Sequence, residues 1–237
     1  ELQNIPPYSY NQCFSGHIDN SIKSYKQNWF KIIIKYYFKM NILKDRSKNT
    51  GYLKVILGPM FSGKTTELIK IYNSHKACGI NVCVINHSSD KRYHPEKLST
   101  HNKNMIESIN LNKLTFISPL ISQYDVFVIN EGQFFDDLYD IVNILVNMHK
   151  KKVYVAGLDG DFKRRKFGQM LDIICLSDDV VKLKAICINC KKNDAIFTHR
   201  LSREQKQILV GNNNYAALCR HCYNLKTAIS PQSKPVV

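Results

Sequence analysis

Residues 58–65 have the types and spacing of a phosphate-binding loop. They fit the pattern G-x-x-x-x-G-K-[ST] and are Gly58, Pro59, Met60, Phe61, Ser62, Gly63, Lys64 and Thr65. In such a loop, backbone N–H groups converge on phosphate oxygens, and the helix that follows adds the positive end of its dipole. The lysine reaches the β- and γ-phosphates, and the hydroxyl of Thr65 holds Mg²⁺. The sequence therefore predicts a nucleoside triphosphate site.

The elements around this phosphate loop (residues 58–65) supply the context that the pattern needs. An apolar run precedes it, and a helical face with Leu68, Ile71 and Tyr72 follows it. A glycine turn with a surface lysine is the alternative interpretation, and this strand–loop–helix order argues against it. Further apolar runs predict buried strands at Val82–Ile85, Val126–Ile129 and Val153–Ala156. Strands that alternate with helices predict a parallel α/β sheet with ligands at the carboxyl ends of its strands.

A carboxylate follows one of these strands directly. Asn130 and Glu131 come after Val126–Ile129, where phosphate-loop proteins carry an acidic residue that holds Mg²⁺ through water or orients the nucleophile. Glu131 is therefore a candidate to accept a proton from an attacking hydroxyl or water. The alternative is a loop carboxylate paired with one of the many lysines.

Two pairs of cysteines indicate a metal site. Cys187 and Cys190 form one C-x-x-C pair, Cys219 and Cys222 form the other, and 28 residues separate the pairs. Four thiolates can close a tetrahedral site, for which Zn²⁺ is the usual metal, and they leave no open position for catalysis. A redox C-x-x-C is the competing interpretation. The sequence favours a structural zinc site in a reducing compartment.

Composition sets limits on the class of protein. With 237 residues and 44% hydrophobic residues, the chain is long enough to bury a full core. The formal net charge of +15 suggests an anionic partner, but no regular basic–aromatic interleaving predicts a nucleic-acid groove. No apolar run reaches transmembrane length. We therefore expect a cytoplasmic protein that binds neither membrane nor nucleic acid.

The changes in character along the chain predict four regions. We expect residues 1–50 to be a disordered or auxiliary extension, and residues 51–180 to form the nucleotide-binding α/β domain. Short β-like runs around the cysteines predict a small zinc domain at 181–225, and residues 226–237 form a tail.

Together, these motifs resemble those of the type II thymidine kinases, which comprise cytosolic, poxviral and bacterial enzymes. The resemblance rests on residues 58–68, 130–135 and 158–162 and on both cysteine pairs, and it runs from about Tyr52 to Tyr223. It implies a RecA-like phosphate-loop sheet followed by a small zinc-binding domain. It also implies ATP-dependent phosphorylation of the 5′-hydroxyl of thymidine, with deoxyuridine as a further acceptor, Mg²⁺ with ATP, a homotetramer, and feedback by dTTP.

The resemblance also assigns roles to residues of this sequence. It implies that catalysis uses Glu131, Lys64 and Arg92. The donor site comprises the phosphate loop together with Asp90, Lys91, Arg92, Asn130 and Gln133. The walls around thymine are Met60, Phe134, Leu158 and Phe162. The segment between the cysteine pairs (residues 191–218), called the lasso below, is expected to fold over the nucleoside and to read it through Thr198, a strand of Gln207, Ile208, Leu209, Val210 and Gly211, and Tyr215.

Two departures from the family pattern are present: Asn130, and a lasso that is one residue longer before Arg200 and one residue shorter before Tyr215 than the family pattern. Other functions therefore stay open. The family usually has aspartate where this chain has Asn130, and an amide can accept a bond from a Mg²⁺-bound water but brings no negative charge. A catalytically silent nucleotide-binding protein is therefore one alternative. A nucleic-acid-dependent ATPase with a zinc ribbon, favoured by the basic charge, is the other.

Overall fold

The structure is a computed structural model that describes residues 50–89, 97–99, 105–209, 211 and 213–228, with the backbone alone at 97–99 and 105. These residues lie within one compact unit that begins at Lys48. The expected extension up to residue 49, the donor-site residues Asp90, Lys91 and Arg92, Val210, and the tail from residue 229 lie outside the described residues. The four-region division of the chain thus stays a prediction. Within the described residues, no helix is both long enough and apolar enough to cross a membrane.

The described residues contain twelve strands and three α-helices. The strands are β1 (Tyr52–Leu57), β2 (Val82–His87), β3 (Lys97–Ser99), β4 (Met105–Glu107), β5 (Ile109–Leu111), β6 (Val126–Ile129), β7 (Lys152–Gly157), β8 (Asp179–Lys182), β9 (Ala185–Ile186), β10 (Asp194–Ala195), β11 (Phe197–Arg200) and β12 (Tyr215–Leu218). The helices are α1 (Lys64–Ala77), α2 (Leu138–Asn143), which continues as a π-turn over Ile144–Met148, and α3 (Arg220–Ala228). Short 3₁₀ helices span Leu114–Gln123, Gly132–Phe134 and Asp172–Leu176.

Six strands form one sheet in the order β5-β2-β6-β7-β1-β8, and every neighbouring pair is parallel. All residues of β2 and β6 are buried, as expected for strands covered on both faces. The predicted parallel α/β fold is therefore confirmed. Because β7 lies between β1 and β6, the phosphate loop after β1 and Glu131 after β6 occupy the same edge of the sheet, one strand apart.

Helices cover both faces of the sheet because side chains alternate along each strand. One face packs Val84 and Val128 against Leu68 of α1. The opposite face packs residues such as Phe127 against Leu138 and neighbouring apolar residues of α2. Leu68 is fully buried, and removing such a side chain from water contributes about 2 kcal/mol. The two apolar layers hold the sheet edge that carries the candidate site.

The chain beyond β8 forms a separate small core around the cysteines. The antiparallel pairs β9–β10 and β11–β12 pack with α3, and buried Ala195, Leu218 and Tyr223 join the cysteines in one cluster. The predicted strand at 207–211 is wrong for the residues described there, because 207–209 and 211 lie outside every strand. The carbonyl groups of Gln207 and Leu209 instead accept bonds from side chains, as described below.

Candidate active site

The phosphate loop takes a conformation that depends on its two glycines. Gly58 has φ 147° and Gly63 has φ 85°, which side chains strongly disfavour. A Cβ atom on Gly58 would also lie 2.5 Å from the Leu183 carbonyl oxygen and 2.8 Å from Ser62 Oγ. The N–H of Glu67 donates to the Gly63 carbonyl (3.0 Å) and closes the first turn of α1. The loop therefore ends at a helix N-terminus, which favours anions.

Lys64 lies across this loop. Its Nζ donates to the carbonyls of Gly58 (3.0 Å) and Pro59 (2.8 Å). A phosphate at the loop would offer the ammonium group charged oxygens in place of these neutral carbonyls, and hydrogen bonds between charged groups are stronger. Ser62 Oγ is buried and has no hydrogen-bond partner among the described residues, which leaves one more polar group for a ligand of the loop. Thr65 follows Lys64 in the first turn of α1 and is half-buried.

Asn130 ends β6 within a buried amide pair. Its Nδ2 donates to Asn86 Oδ1 (2.9 Å), and both side chains are 2% exposed. The Asn130 N–H also donates to the Ile85 carbonyl (2.9 Å), which continues the pairing of β6 with β2. The pair is neutral. The amide oxygen of Asn130 can accept a bond from a metal-bound water, but it brings no charge.

Glu131 is held by its neighbour Gln133. Gln133 Nε2 donates to Glu131 Oε2 (2.5 Å), while Gln133 Oε1 accepts from the N–H of Leu158 (3.0 Å). Gln133 is 4% exposed and Glu131 is 9% exposed, and Glu131 has a left-handed backbone with φ 54°. The structure thus links three of the predicted site residues in one chain of contacts. It fixes the direction of the Glu131 carboxylate, which is what a general base requires.

The two predicted aromatic walls contact different side chains. Phe134 contacts the rings of His87 and Phe167, with centroids 5.4 and 5.6 Å apart. Phe162 lies under the guanidinium of Arg200, with Cζ 3.8 Å from the ring centroid. His87 and Arg200 are absent from the sequence-predicted site. His87 follows the apolar run of β2, and a polar residue after a buried strand is the signal that could have identified it.

The lasso touches the phosphate loop directly. The N–H of Met60 donates to Thr198 Oγ1 (3.0 Å), and Thr198 is buried on β11. Tyr215, opposite Arg200 in the β11–β12 pair, donates its hydroxyl to the Leu209 carbonyl (2.9 Å). Thr198, one of the predicted nucleoside residues of the lasso, therefore contacts the predicted phosphate loop. The side chain of Ile208, by contrast, is half-exposed.

The four cysteines of the two pairs form one cluster. Their sulfur atoms all lie within 4.8 Å of one another, and Cys190 Sγ lies 3.9 Å from Cys219 Sγ. Tetrahedral bonds of 2.3 Å from zinc to sulfur place the sulfurs about 3.8 Å apart. Asn189 Nδ2 also donates to Cys222 Sγ (3.3 Å), the kind of contact that supports a ligating thiolate. The cluster fits a zinc-binding region.

The ionisation of these thiols also suits a metal. Burial raises the pKa of Cys187, but backbone hydrogen bonds at Cys190, Cys219 and Asn189 outweigh it and lower that pKa to about 6. The Asn189 side chain lowers the pKa of Cys222, whereas burial and the three neighbouring sulfurs raise it to about 11. Four adjacent thiols therefore ionise together only when a cation compensates their charge.

A phosphate loop at the edge of a parallel sheet, a supported carboxylate one strand away and a four-cysteine module define a phosphate-loop α/β protein with a zinc-type appendage. A sequence model of the thymidine kinase family matches residues 51–223. The thymidine kinase of Vaccinia virus (strain Ankara) is 41% identical over 176 residues, which cover 74% of this chain and 98% of that protein. The thymidine kinase of Variola virus (isolate Human/India/Ind3/1967) is 42% identical over the same shares. That of Sheeppox virus (strain KS-1) is 37% identical over 177 residues, again 74% and 98%. The chain belongs to the thymidine kinase family, and it is an enzyme of the kinase class.

Proposed function

We propose that the protein transfers the γ-phosphoryl group of ATP to the 5′-hydroxyl of thymidine, and that deoxyuridine is a second acceptor. The observation that carries this proposal is the bond from the Met60 N–H to Thr198 Oγ1 (3.0 Å). This hydrogen bond brings the loop suited to donor phosphates into direct contact with the lasso suited to a nucleoside. Phosphoryl transfer needs this proximity more than any covalent chemistry from the protein.

On the donor side, the loop and Lys64 bind the phosphates. Lys64 exchanges the carbonyls of Gly58 and Pro59 for phosphate oxygens, and Arg92 adds positive charge at the transferring group. Thr65 and Asn130 would hold Mg²⁺, and both offer the oxygen atoms that this hard cation prefers. When bound with ATP, Mg²⁺ neutralises charge on the phosphate oxygens.

On the acceptor side, Glu131 accepts the proton of the 5′-hydroxyl. Gln133 orients it, because its Nε2 binds Glu131 Oε2 while its Oε1 is fixed by Leu158. A positioned base of this kind contributes a rate factor of about 10²–10⁴.

The nucleoside base lies between aromatic walls and the lasso. Met60, Phe134, Leu158 and Phe162 line the thymine pocket, and the backbone of residues 207–211 reads the edge of the base, with Tyr215 beside it. The absence of strand pairing at the described residues 207–209 and 211 supports this reading. Backbone groups that are neither paired in a strand nor bound by Arg200 or Tyr215 remain able to bond a ligand.

The zinc site has a structural role in this proposal. Zn²⁺ held by the four cysteines would tie together the two ends of the lasso. We further propose a cytoplasmic homotetramer that is inhibited by dTTP, and we propose no nucleic-acid partner.

The alternative of a silent homologue, which binds nucleotide without turnover, rests on Asn130 alone, and membership of a kinase family argues against it. The deciding assay incubates the zinc-loaded protein with γ-labelled ATP, Mg²⁺ and thymidine, and measures labelled thymidine monophosphate. We expect thymidine-dependent product. If ATP and thymidine bind but only Asn130→Asp gives product, the silent homologue is correct. If ATP hydrolysis is stimulated by DNA while no thymidine monophosphate forms, the nucleic-acid-dependent ATPase is correct.

A further inference from the structure

Arg200 at the end of β11 gathers the lasso around its guanidinium. Nη1 donates to the carbonyls of Glu204 (3.0 Å) and Lys206, and Nη2 donates to the Gln207 carbonyl (3.0 Å) and the Tyr215 hydroxyl (2.5 Å). The side chain is 4% exposed. One buried cation therefore holds three carbonyls within four residues of irregular backbone.

The four acceptors of this guanidinium are neutral oxygen atoms, and three of them are carbonyls of residues 204–207. Burial of the Arg200 charge therefore depends on the conformation of this segment. A buried charge is costly unless its hydrogen bonds are satisfied; here three carbonyl oxygens and one hydroxyl accept from Nη1 and Nη2, while Nε has no partner among the described residues. The three carbonyl oxygens come together only when residues 201–209 close over Arg200. Burial of the charge and closure of the segment are thus one event.

The same guanidinium contacts the proposed thymine wall. Its Cζ lies 3.8 Å from the centroid of the Phe162 ring, close enough for a cation–π interaction. The Phe162 carbonyl accepts from the Tyr223 hydroxyl (2.6 Å), which anchors the wall to the zinc-site core. Arg200 therefore connects the closing segment to the aromatic wall beneath it.

Asp161 holds the segment from the other side. Its Oδ2 accepts from Gln207 Nε2 (2.9 Å), while its Oδ1 accepts from the N–H groups of Lys163 (2.8 Å) and Arg165 (2.9 Å). Asp161 is 6% exposed. Residue 207 is consequently fixed twice, at its carbonyl by Arg200 and at its side chain by Asp161.

We propose that Arg200 and Asp161 form a clasp that closes residues 201–209 over the nucleoside and sets its affinity. Both are positioning residues, because they act through the lasso backbone and through Phe162. The identity of the nucleoside as thymidine rests on the proposed function, whereas the clasp itself rests on the contacts above.

Kinetics of clasp variants test the proposal on the zinc-loaded enzyme. We expect Arg200→Met to raise the KM for thymidine about 30-fold, because four charge-assisted bonds are lost. The KM for ATP and kcat should stay within about threefold, because the guanidinium's contacts among the described residues are with the lasso and Phe162 and not with the phosphate loop. Arg200→Lys keeps the charge but loses the planar fork, and we expect a rise of about 10-fold. Arg203→Met is the matched control, an exposed arginine of the same segment, and it should leave both KM values unchanged.

Limited proteolysis tests the clasp independently of turnover. Trypsin cleavage after Lys206, followed by mass spectrometry without nucleoside, should be about 10-fold faster in Arg200→Met than in the wild type, because opening frees the segment. Thymidine should slow this cleavage in the wild type. If the wild type does not phosphorylate thymidine, the proposed function fails, while the cleavage rates still decide the clasp.

Three results would overturn the clasp: a thymidine KM in Arg200→Met within twofold of wild type, a parallel rise in the KM for ATP, or an unchanged cleavage rate. Should Arg200→Met lose its zinc or its cooperative unfolding, Asp161→Asn decides through the same readouts. This near-isosteric change keeps Oδ1 as an acceptor. We expect it to raise the thymidine KM about threefold, and no change in KM or cleavage would contradict the clasp.

Discussion

The site has a donor half, which is the phosphate loop (residues 58–65) on the parallel sheet, and an acceptor half, which is the lasso (residues 191–218). The two halves are built in different ways. The donor half stands on buried parallel strands, and its loop starts where the fully hydrogen-bonded β1 ends. The described part of the acceptor half between β11 and β12 has no strand of its own, and side chains such as Arg200 and Tyr215 bind its carbonyls. A sheet edge supplies a rigid site, whereas a side-chain-bound loop can open for its ligand. The difference suits an enzyme whose nucleoside must enter and leave.

Lys64→Met should have the largest effect, and it should impair phosphoryl transfer without changing the affinity for thymidine. We expect kcat/KM for phosphoryl transfer to fall about 1,000-fold, because charge on the transferring group loses its fixed cation. Thymidine affinity, measured by calorimetry, should be unchanged. A comparable loss of thymidine affinity would show that the two halves are not independent.

Substitution of an apolar side chain by alanine should lower the free energy of unfolding more in the donor half than in the acceptor half. Leu68→Ala, in the buried layer under α1, should lower the free energy of unfolding by about 3 kcal/mol. Ile208→Ala, at a half-exposed side chain of the lasso, should lower it by less than about 1 kcal/mol. Denaturant unfolding of both variants measures the contrast, and equal losses would contradict it.

Zinc removal should act on the acceptor half alone. Cys219→Ser, or treatment with a chelator, should raise the KM for thymidine about 50-fold, because the ends of the lasso are no longer tied. ATP binding should persist, since β1, β6 and α1 pack without the cysteines. Cys78→Ser, at an exposed thiol outside the cluster, is the control. Loss of ATP binding together with zinc would count against a separate donor half.

Asn130→Asp should give the smallest change in activity, and it tests whether residue 130 takes part in binding Mg²⁺. We expect the half-saturating Mg²⁺ concentration to fall about fivefold, because a carboxylate adds negative charge. Since aspartate cannot donate to Asn86 Oδ1, stability should fall by about 1 kcal/mol unless Asn86 rotates. Mg²⁺ titrations of activity measure the first effect, with Asn130→Ala as the comparison. An unchanged or higher Mg²⁺ requirement in Asn130→Asp would contradict a role of residue 130 at the metal.

The donor half could be predicted from sequence because its signals are local. The apolar run Val126–Ile129 reads as a buried strand by itself, and the loop pattern is contiguous. The cysteine pairs are also recognisable, because C-x-x-C spacing carries the ligand geometry. His87, which contacts the proposed thymine wall at Phe134, is not predicted, because the predicted strand ends at Ile85 and the structure continues it by two residues.

The acceptor half could be predicted only in part, because its contacts are distant or unspecific in sequence. The family resemblance implies a strand at 207–211, yet the described residues 207–209 and 211 lie outside every strand. A strand also needs a partner, and here Arg200 and Tyr215 take the carbonyls instead. No periodic pattern marks Asp161, whose partner Gln207 lies 46 residues away.

Single-turnover phosphoryl transfer in the wild type and Glu131→Gln tests the central claim most directly. With enzyme in excess over γ-labelled ATP and saturating thymidine, we expect the variant to form thymidine monophosphate about 1,000-fold more slowly. The affinities for ATP and thymidine should be unchanged, because Gln133 can still contact an amide at this position. Equal rates in the two proteins would contradict the assignment of Glu131 as the base that links the two halves.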